Sequence, residues 1–213
     1  MGTILASKVI TDARRLLQDV SNVATRWDDP TLLAGLNEGQ RVLVSLKHDA
    51  NTVTETVDVV AGDTRQMLSD NSVAFVRVTR NMGADGTKPG RAITGVSKEN
   101  MDFSDPEWGA AKTAKAAFHF IFDPNHEREF HIWPPIEGKI ELVHVVIPAE
   151  VALGTVISLD DIYAAALTAY VVYYGLAQDM DAAPNRELAR TWFSQFAALV
   201  SGKVQSEESL KRG

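Results

Sequence analysis

Cysteine is absent from this sequence of 213 residues. Its absence excludes disulfide bonds, zinc–thiolate sites and thiol nucleophiles. The rest of the composition, with 45% hydrophobic and 23% charged residues, is ordinary for a soluble globular protein. A chain of this length buries one substantial core or two small ones.

Signals for export and for membrane insertion are also missing. The first residues lack the basic segment and long apolar stretch of a signal peptide, so we expect synthesis in the cytoplasm. The longest uncharged stretch, residues 162–178, includes four tyrosines. A membrane-spanning helix needs about 20 predominantly apolar residues, so the sequence favours a buried helix and predicts no membrane association.

Positive charge is in short supply. The chain has 21 Lys and Arg residues against 28 Asp and Glu, a formal net charge of −7. Tight sequence-independent binding of nucleic acid requires clustered Lys and Arg, so the composition argues against it. The same acidic balance is compatible with a surface along which nucleic acid passes without being held.

Recognisable catalytic motifs are absent too. Residues 83–90 contain glycine and lysine but not the spacing of a phosphate-binding P-loop. No serine stands in a G-x-S-x-G context, and the many carboxylates show no pairing for acid–base chemistry. The sequence therefore predicts neither an enzyme nor a cofactor site.

Histidines at positions 126 and 131 superficially resemble a metal-binding motif. In H-E-x-x-H, a four-residue step on a helix places both imidazoles on one face. Here the step is five residues, and the surrounding pattern is typical of a β-hairpin, in which odd steps point to opposite faces. The sequence predicts no metal site.

Two helices are predicted at the beginning of the chain, over residues 3–20 and 28–47, because apolar residues recur at helical spacing. Asp28 or Asp29 is expected to cap the second helix, with Pro30 in its first turn. Gly35 and Gly39 lower helix propensity, and we interpret them as positions where a neighbouring helix approaches closely.

A second helical pair is predicted near the end of the chain. Ser158, with Asp161 as its acidic partner, is expected to cap a helix that is apolar nearly all round and buried on several sides. After a turn at residues 181–183, Pro184 is expected to begin the next helix and Gly202 to end it. The predicted buried stripes are Ile162, Ala166, Ala169, Tyr173, Leu176 and Met180 in the first helix, and Leu188, Trp192, Phe196 and Leu199 in the second.

The intervening residues, 51–150, show the two-residue period of strands. Residues 51–59 are expected to form a half-buried strand, and residues 73–79 a strand with Phe75 on one face and Val76 and Val78 on the other. Residues 83–90 predict an exposed loop, and residues 100–108 an irregular segment. Residues 118–133 predict a hairpin with an aromatic face, which we interpret as the core of a sheet, and residues 139–147 a further strand.

These elements predict an α+β protein. We expect a four-helix bundle from residues 1–50 and 157–203, with residues 51–150 inserted as an antiparallel β-sandwich or barrel. Residues 204–213 are charged and polar, and we expect a mobile tail.

Four short stretches in this layout resemble the head-to-tail adaptor proteins of tailed bacteriophages, of the tail tubular protein A type. They are Trp27-Asp28-Asp29-Pro30, Asp105-Pro106-Glu107-Trp108, residues 122–135 with Phe122-Asp123-Pro124 and His131-Ile132-Trp133-Pro134-Pro135, and residues 162–196 with Tyr170-Val171-Val172-Tyr173 and Asp179-Met180-Asp181. The His and Trp in the third stretch depart from the Tyr or Val expected there.

The resemblance implies a structural protein of the virion, made in the host cytoplasm and located in the neck between head and tail. Such adaptors form a ring of about twelve copies below the portal protein. The ring continues the DNA channel, does not bind the genomic DNA specifically, and carries the next tail component, a nozzle or tail-tube protein.

Partner contacts are expected at two places. In the loop they involve Gly83, Asp85, Gly86 and Lys88, and in the tail Val204 and Leu210, the only sizeable apolar residues there. Two alternatives remain open: a carbohydrate- or host-binding β-module on a helical stalk, and a hydrolase, which would require a cleft with perturbed carboxylates or histidines.

Overall fold

A computed structural model describes residues 2–20, 25–178 and 183–211; for residues 183 and 203–211 it describes the backbone alone. The protein is α+β and divides into two compact units. The helical unit comprises residues 1–51 and 148–213, and the β-unit comprises Thr52–Ile147. No described helix is long and apolar enough to cross a membrane.

Four helices form the helical unit: α1 (Ala6–Leu16), α2 (Asp29–Leu46), α4 (Ala164–Ala177) and α5 (Ala183–Lys211). The remaining helix, α3 (Lys98–Ser104), lies in the β-unit. Asp28 caps α2 by accepting a hydrogen bond from the Thr31 amide, 2.9 Å away, and Pro30 lies in the first turn. The predicted start of α2 is confirmed.

Helix α4 is the centre of the helical unit, because α1, α2 and α5 all pack against it. Two glycines of α2 make this packing possible. A Cβ atom on Gly35 would lie 2.7 Å from the Tyr174 ring, and one on Gly39 would lie 2.8 Å from the Tyr170 ring. The tyrosines belong to α4, so the predicted close approach of a neighbouring helix is confirmed.

The hydroxyl of Tyr170 also links α4 to α2. It donates a hydrogen bond of 3.0 Å to the Glu38 carboxylate. Burial, followed by the hydrogen bond to Glu38, raises the pKa of Tyr170 above its ordinary value. The phenol, which is protonated at neutral pH even at its ordinary pKa, therefore keeps its role as donor under alkaline conditions as well.

The entry into α4 differs from the prediction. Ser158 does not cap it; Asp160 accepts from the Ile162 amide at 3.0 Å, and a 3₁₀ turn, Asp161–Tyr163, precedes the helix. The Asp161 carboxylate accepts instead from the backbone amides of Thr3 and Ile4, at 2.6 and 3.1 Å. Hydrogen bonds from the Thr3 hydroxyl and amide lower the pKa of Asp161. Asp161, which was expected to take part in a helix cap, therefore hydrogen-bonds the backbone of Thr3 and Ile4, far away in the sequence.

The second correction concerns α5. Among its described side chains, Ala189, Phe196 and Val200 are buried, whereas Leu188 and Leu199 are exposed and Trp192 is half-buried. Phe196 is buried as predicted, but Ala189 and Val200 replace Leu188 and Leu199, so the buried face is turned by part of the roughly 100° between successive residues. Gly202 does not end the helix, because α5 continues to Lys211. Met180 and the predicted turn at residues 181–182 lie outside the described residues.

The β-unit contains eight described strands and one short helix. The strands are β1 (Thr52–Asp58), β2 (Arg65–Met67), β3 (Ser72–Met82), β4 (Pro89–Ala92), β5 (Thr94–Gly95), β6 (His119–Phe122), β7 (Glu129–Trp133) and β8 (Lys139–Val146). They form two four-stranded sheets with orders β1-β8-β3-β4 and β2-β7-β6-β5. All pairs are antiparallel except β5 with β6. Neither sheet of described strands closes into the barrel that was one of the two predicted forms.

Side chains from both sheets share one hydrophobic core. Phe75 of β3 stacks on Phe130 of β7 with 4.7 Å between ring centroids, and its ring also contacts Phe120 and Phe122 of β6. The aromatic face of the predicted hairpin is therefore core, as expected. The hairpin itself is β6 paired with β7.

Three details of the β-unit contradict the sequence pattern. Phe75 and Val78 both face the core while Val76 is exposed, because the pairing of β3 with β8 shifts register three times. Each β-bulge adds a residue and so changes which of the following side chains face the core.

Strand β1, expected to be half-buried, lies at a sheet edge and is mostly exposed. Residues 98–104, partly within the segment expected to be irregular, form α3, which Ser97 caps.

Replacement of Leu36 by aspartate should unfold the helical unit. The side chain is 0% exposed, so Leu36→Asp loses the burial of leucine and leaves a carboxylate without solvent. We expect a loss of more than about 4 kcal/mol in the free energy of unfolding, measured by urea denaturation. Leu46→Asp is the control, because Leu46 lies on the same helix and is 55% exposed. Equal stability of the two variants would contradict the packing described here.

Replacement of Gly35 by alanine tests the close approach of α2 and α4. The added Cβ would lie 2.9 Å from the Cβ of Tyr174, a clash that rotation of the tyrosine ring cannot relieve. Overpacking costs about 1–3 kcal/mol and exceeds the gain of about 1 kcal/mol in helix propensity. Gly35→Ala should therefore lower the melting temperature.

Gly202→Ala is the matched control for Gly35→Ala. Gly202 also lies in a helix, but outside its own helix no described atom stands within 4 Å of an added Cβ, so this variant should be as stable as the parent or more so. A rise in melting temperature for Gly35→Ala would show that the helices do not approach closely at this glycine.

Candidate interaction site

A serine, a histidine and a glutamate are brought together across three strands of the β-unit. The Ser72 hydroxyl lies 2.7 Å from Nδ1 of His144, and Nε2 of His144 lies 2.9 Å from the Glu55 carboxylate without the alignment of a hydrogen bond. Ser72 and His144 are both buried, so a substrate has no access to the serine oxygen. The arrangement therefore connects β1, β8 and β3 and does not form a hydrolytic site.

The histidines that superficially suggested a metal motif have other neighbours. His131 packs edge-on against Trp108, with ring centroids 5.2 Å apart, and burial lowers the pKa of His131. His126 Nδ1 lies 3.4 Å from the Asp123 carboxylate. Among the described residues, no group of three His, Cys, Asp or Glu side chains is placed to hold a metal ion.

The loop between β3 and β4 gathers the four residues expected to bind partners. Backbone hydrogen bonds of 2.8 Å from the Gly83 amide to the Lys88 carbonyl and from the Gly86 amide to the Gly83 carbonyl close it. Gly86 has a φ of 74°, which glycine adopts without steric cost. Asp85 accepts from the Thr87 amide, and this hydrogen bond lowers the pKa of Asp85. The loop is a folded turn that presents Asp85 and Lys88 to solvent.

The other two predicted contact residues, Val204 and Leu210, belong to the last turns of α5 in the helical unit. Their side chains lie outside the described part of the structure. Helical backbone in this stretch places the two residues six positions apart along α5, which is nearly two turns.

An exposed aromatic residue was missed in the sequence. Phe103 on α3 is 91% exposed, although Met101 on the same helix is buried. The sequence pattern assigned this segment to irregular structure, since seven residues are too few to establish helical periodicity. A helix start could have been predicted from Ser97, a favoured N-cap residue. In the structure its hydroxyl accepts a hydrogen bond from the Asn100 amide.

An open groove runs along α4 and α5 in the helical unit. Its cavity volume is about 490 Å³, and its lining includes Tyr173, Phe193, Arg186 and Arg190. The rings of Tyr173 and Phe193 lie 5.1 Å apart, tilted by 56°. Phe193 lies beside Trp192 in the sequence, at a position outside the predicted stripe, so periodicity alone gave no indication of this groove.

Comparison with known proteins assigns the chain to a family. Residues 5–212 match the family described as SU10 adaptor protein. The chain belongs to the SU10 adaptor family. Because the match covers nearly the whole sequence, it includes both the helical unit and the β-unit. Membership in a family of adaptors indicates a structural role and agrees with the general resemblance found in the sequence.

Other comparisons add little to the family assignment. Among solved structures, the chain is similar to a protein in the neck of an empty GTA particle, determined with C6 symmetry. The two share 12% sequence identity over 81% of this chain and 80% of the other, with a TM-score of 0.31, which is too low to indicate a common fold. No curated protein matches the sequence.

Proposed function

We propose that this SU10 adaptor family protein is a head-to-tail adaptor in the neck of a tailed phage or a phage-like particle. The observation that carries the proposal is the family match over residues 5–212. The four short stretches that resemble head-to-tail adaptors lie within the matched residues and agree with the proposal. Synthesis in the host cytoplasm, followed by incorporation into the virion, belongs to the same proposal.

The adaptor would act as a ring. About twelve copies would stand below the portal protein and continue the channel through which DNA leaves the head, joined by heterologous contacts between two different surfaces of each copy. A nozzle or tail-tube protein would attach to the opposite side of the ring. The narrower likeness to the tail tubular protein A type is part of this proposal.

The architecture proposed for each copy is a four-helix bundle with an inserted β-sandwich. Packing of α1, α2 and α5 around α4 supports the bundle. The core shared by the two sheets supports the sandwich. Two units that are each well packed suit a protein that has to contact several partners.

Passage of DNA agrees with the charge of the protein. A formal net charge of −7 disfavours attraction of phosphates to the channel wall. We infer that the genome passes without specific binding.

The alternative is a carbohydrate- or host-binding β-module on a helical stalk. The aromatic hairpin β6–β7 would be its natural platform, but Phe120 and Phe122 are half-buried and pack against Phe75 of the core, which leaves less of their rings for a sugar.

Two segments are proposed as contacts with other components. The β3–β4 loop, with Gly83, Asp85, Gly86 and Lys88, would contact a neighbouring copy or the next tail component. The end of α5, with Val204 and Leu210 as apolar anchors, would be mobile in the free subunit and become ordered against the portal or an adjacent copy.

Co-assembly with the portal protein encoded in the same genome tests the function. Electron microscopy of the two proteins expressed together should reveal a ring of this chain on the portal. Truncation after Gly202 should leave the melting temperature nearly unchanged and weaken portal attachment, because Val204 and Leu210 are removed. A full-length chain that neither forms a ring nor attaches to the portal would refute the proposed function. Portal attachment by the truncated chain at full strength would refute only the role of the tail.

Shortening the β3–β4 loop should impair assembly without unfolding the subunit. Pro89 and Gly90 belong to β4, so only residues 84–87 are replaced, by a two-residue Asn-Gly turn between Gly83 and Lys88. The melting temperature should stay within a few degrees of the parent, and ring yield in electron micrographs should fall. Normal ring yield would exclude the loop from the contacts. Asp85→Ala, which keeps the loop length, separates the loss of this charge from the loss of the loop.

A further inference from the structure

Phe103 projects from a helix that is held firmly in place. Met101 of α3 is buried in a cluster with Trp108 and Ile121. The Trp108 indole donates a hydrogen bond of 2.7 Å to the Asp102 carboxylate, which flanks Phe103 in the sequence. Phe103 is therefore an aromatic knob on a fixed support, unlike an apolar side chain at the end of a loop.

Acidic residues are close to Phe103 in the sequence. Glu99 precedes it by one helical turn, Asp102 lies one position before it, and Asp105 and Glu107 lie two and four positions after it. An isolated exposed apolar side chain is common on protein surfaces. An exposed phenylalanine with four acidic residues within four positions favours a partner that places positive charge beside the ring.

The groove along α4 and α5 has those properties. Aromatic and small side chains line it: Tyr173, Phe193, Ala177 and Ala189. Arg186 and Arg190 stand one helical turn apart on α5 and also border it. In the described part of the chain, neither arginine has a carboxylate within ion-pairing distance. A phenyl ring packed against the Tyr173–Phe193 pair would make edge and face contacts of the kind that aromatic side chains prefer.

We propose that the α4–α5 groove binds Phe103 of a second copy of this chain, with the carboxylates around Phe103 facing Arg186 and Arg190. The knob belongs to the β-unit and the groove to the helical unit, and in the proposed ring each pairs with a different neighbouring copy. Such a contact is heterologous, and repeated contacts of this kind close into a ring or extend into a filament. The inference deepens the proposed ring and rests on it for the number of copies.

The absence of cysteine allows a direct test by cross-linking. Ser104 is exposed and next to the knob, and Ser194 is exposed and lines the groove. Ser104→Cys and Ser194→Cys variants, each with a single thiol, are mixed and oxidised in air with Cu(II)–phenanthroline. We expect a disulfide-linked heterodimer that exceeds both homodimers, with its linked peptides identified by mass spectrometry.

Three further samples make the result specific. Ser45→Cys, an exposed position on α2 that is not among the groove residues, replaces Ser194→Cys to measure random collision. Phe103→Ala in the Ser104→Cys chain should weaken association about tenfold or more, because a buried aromatic side chain is lost. Arg186→Glu with Arg190→Glu in the Ser194→Cys chain should reduce the heterodimer by opposing the carboxylates. Circular dichroism checks that all variants stay folded.

The outcomes separate this contact from the proposed function. Equal cross-linking of Ser104→Cys to the Ser45→Cys and Ser194→Cys chains, or a heterodimer yield unaffected by Phe103→Ala, would overturn the contact. Rings on the portal that persist in the Phe103→Ala protein would also overturn it and leave the adaptor function standing. A specific cross-link in a protein that never forms rings would support the contact and refute the proposed ring.

Discussion

The close packing of α4 is the constraint on which the helical unit depends. This helix is apolar on almost every side, so it requires neighbours all round, and α1, α2 and α5 provide them. Gly35 and Gly39 let α2 approach the tyrosines of α4, a contact that any larger side chain would obstruct. Burial of α4 thereby connects segments from both ends of the chain, which makes the β-unit an insertion between them.

The core of the β-unit is instead built around an aromatic cluster between two sheets. Phe75 is its centre, since its ring contacts aromatic rings from both strands of the β6–β7 hairpin. Bulges in β3 turn Phe75 and Val78 to the same side and so fit a long strand onto a small core. With the aromatic side chains used for packing, the surface left for partners consists of turns, an edge strand and the short helix α3.

For an adaptor, this division of roles has a physical advantage. The proposed partner contacts involve side chains whose removal would leave the cores intact, so binding surfaces can differ while each unit stays stable. Phe103 illustrates this division of roles. Met101, two residues earlier, is buried and anchors α3, whereas the Phe103 side chain is exposed. The α4–α5 groove, likewise, includes one buried residue, Ala189, and the half-buried or exposed rings of Tyr173 and Phe193.

The sequence by itself determined the α+β class, the order of two helices, a β-region and two further helices, the cap at Asp28, the two close-approach glycines and the aromatic core, because periodicity, capping and glycine spacing are local properties. Only the tertiary structure decided which face of α5 is buried, what Asp161 binds, how β3 alternates, and that Phe103 and the α4–α5 groove are exposed. These depend on neighbours far away in the chain: a helix that is apolar on more than one face does not reveal which face its partner covers, and a carboxylate hydrogen-bonds whichever amides the fold places beside it.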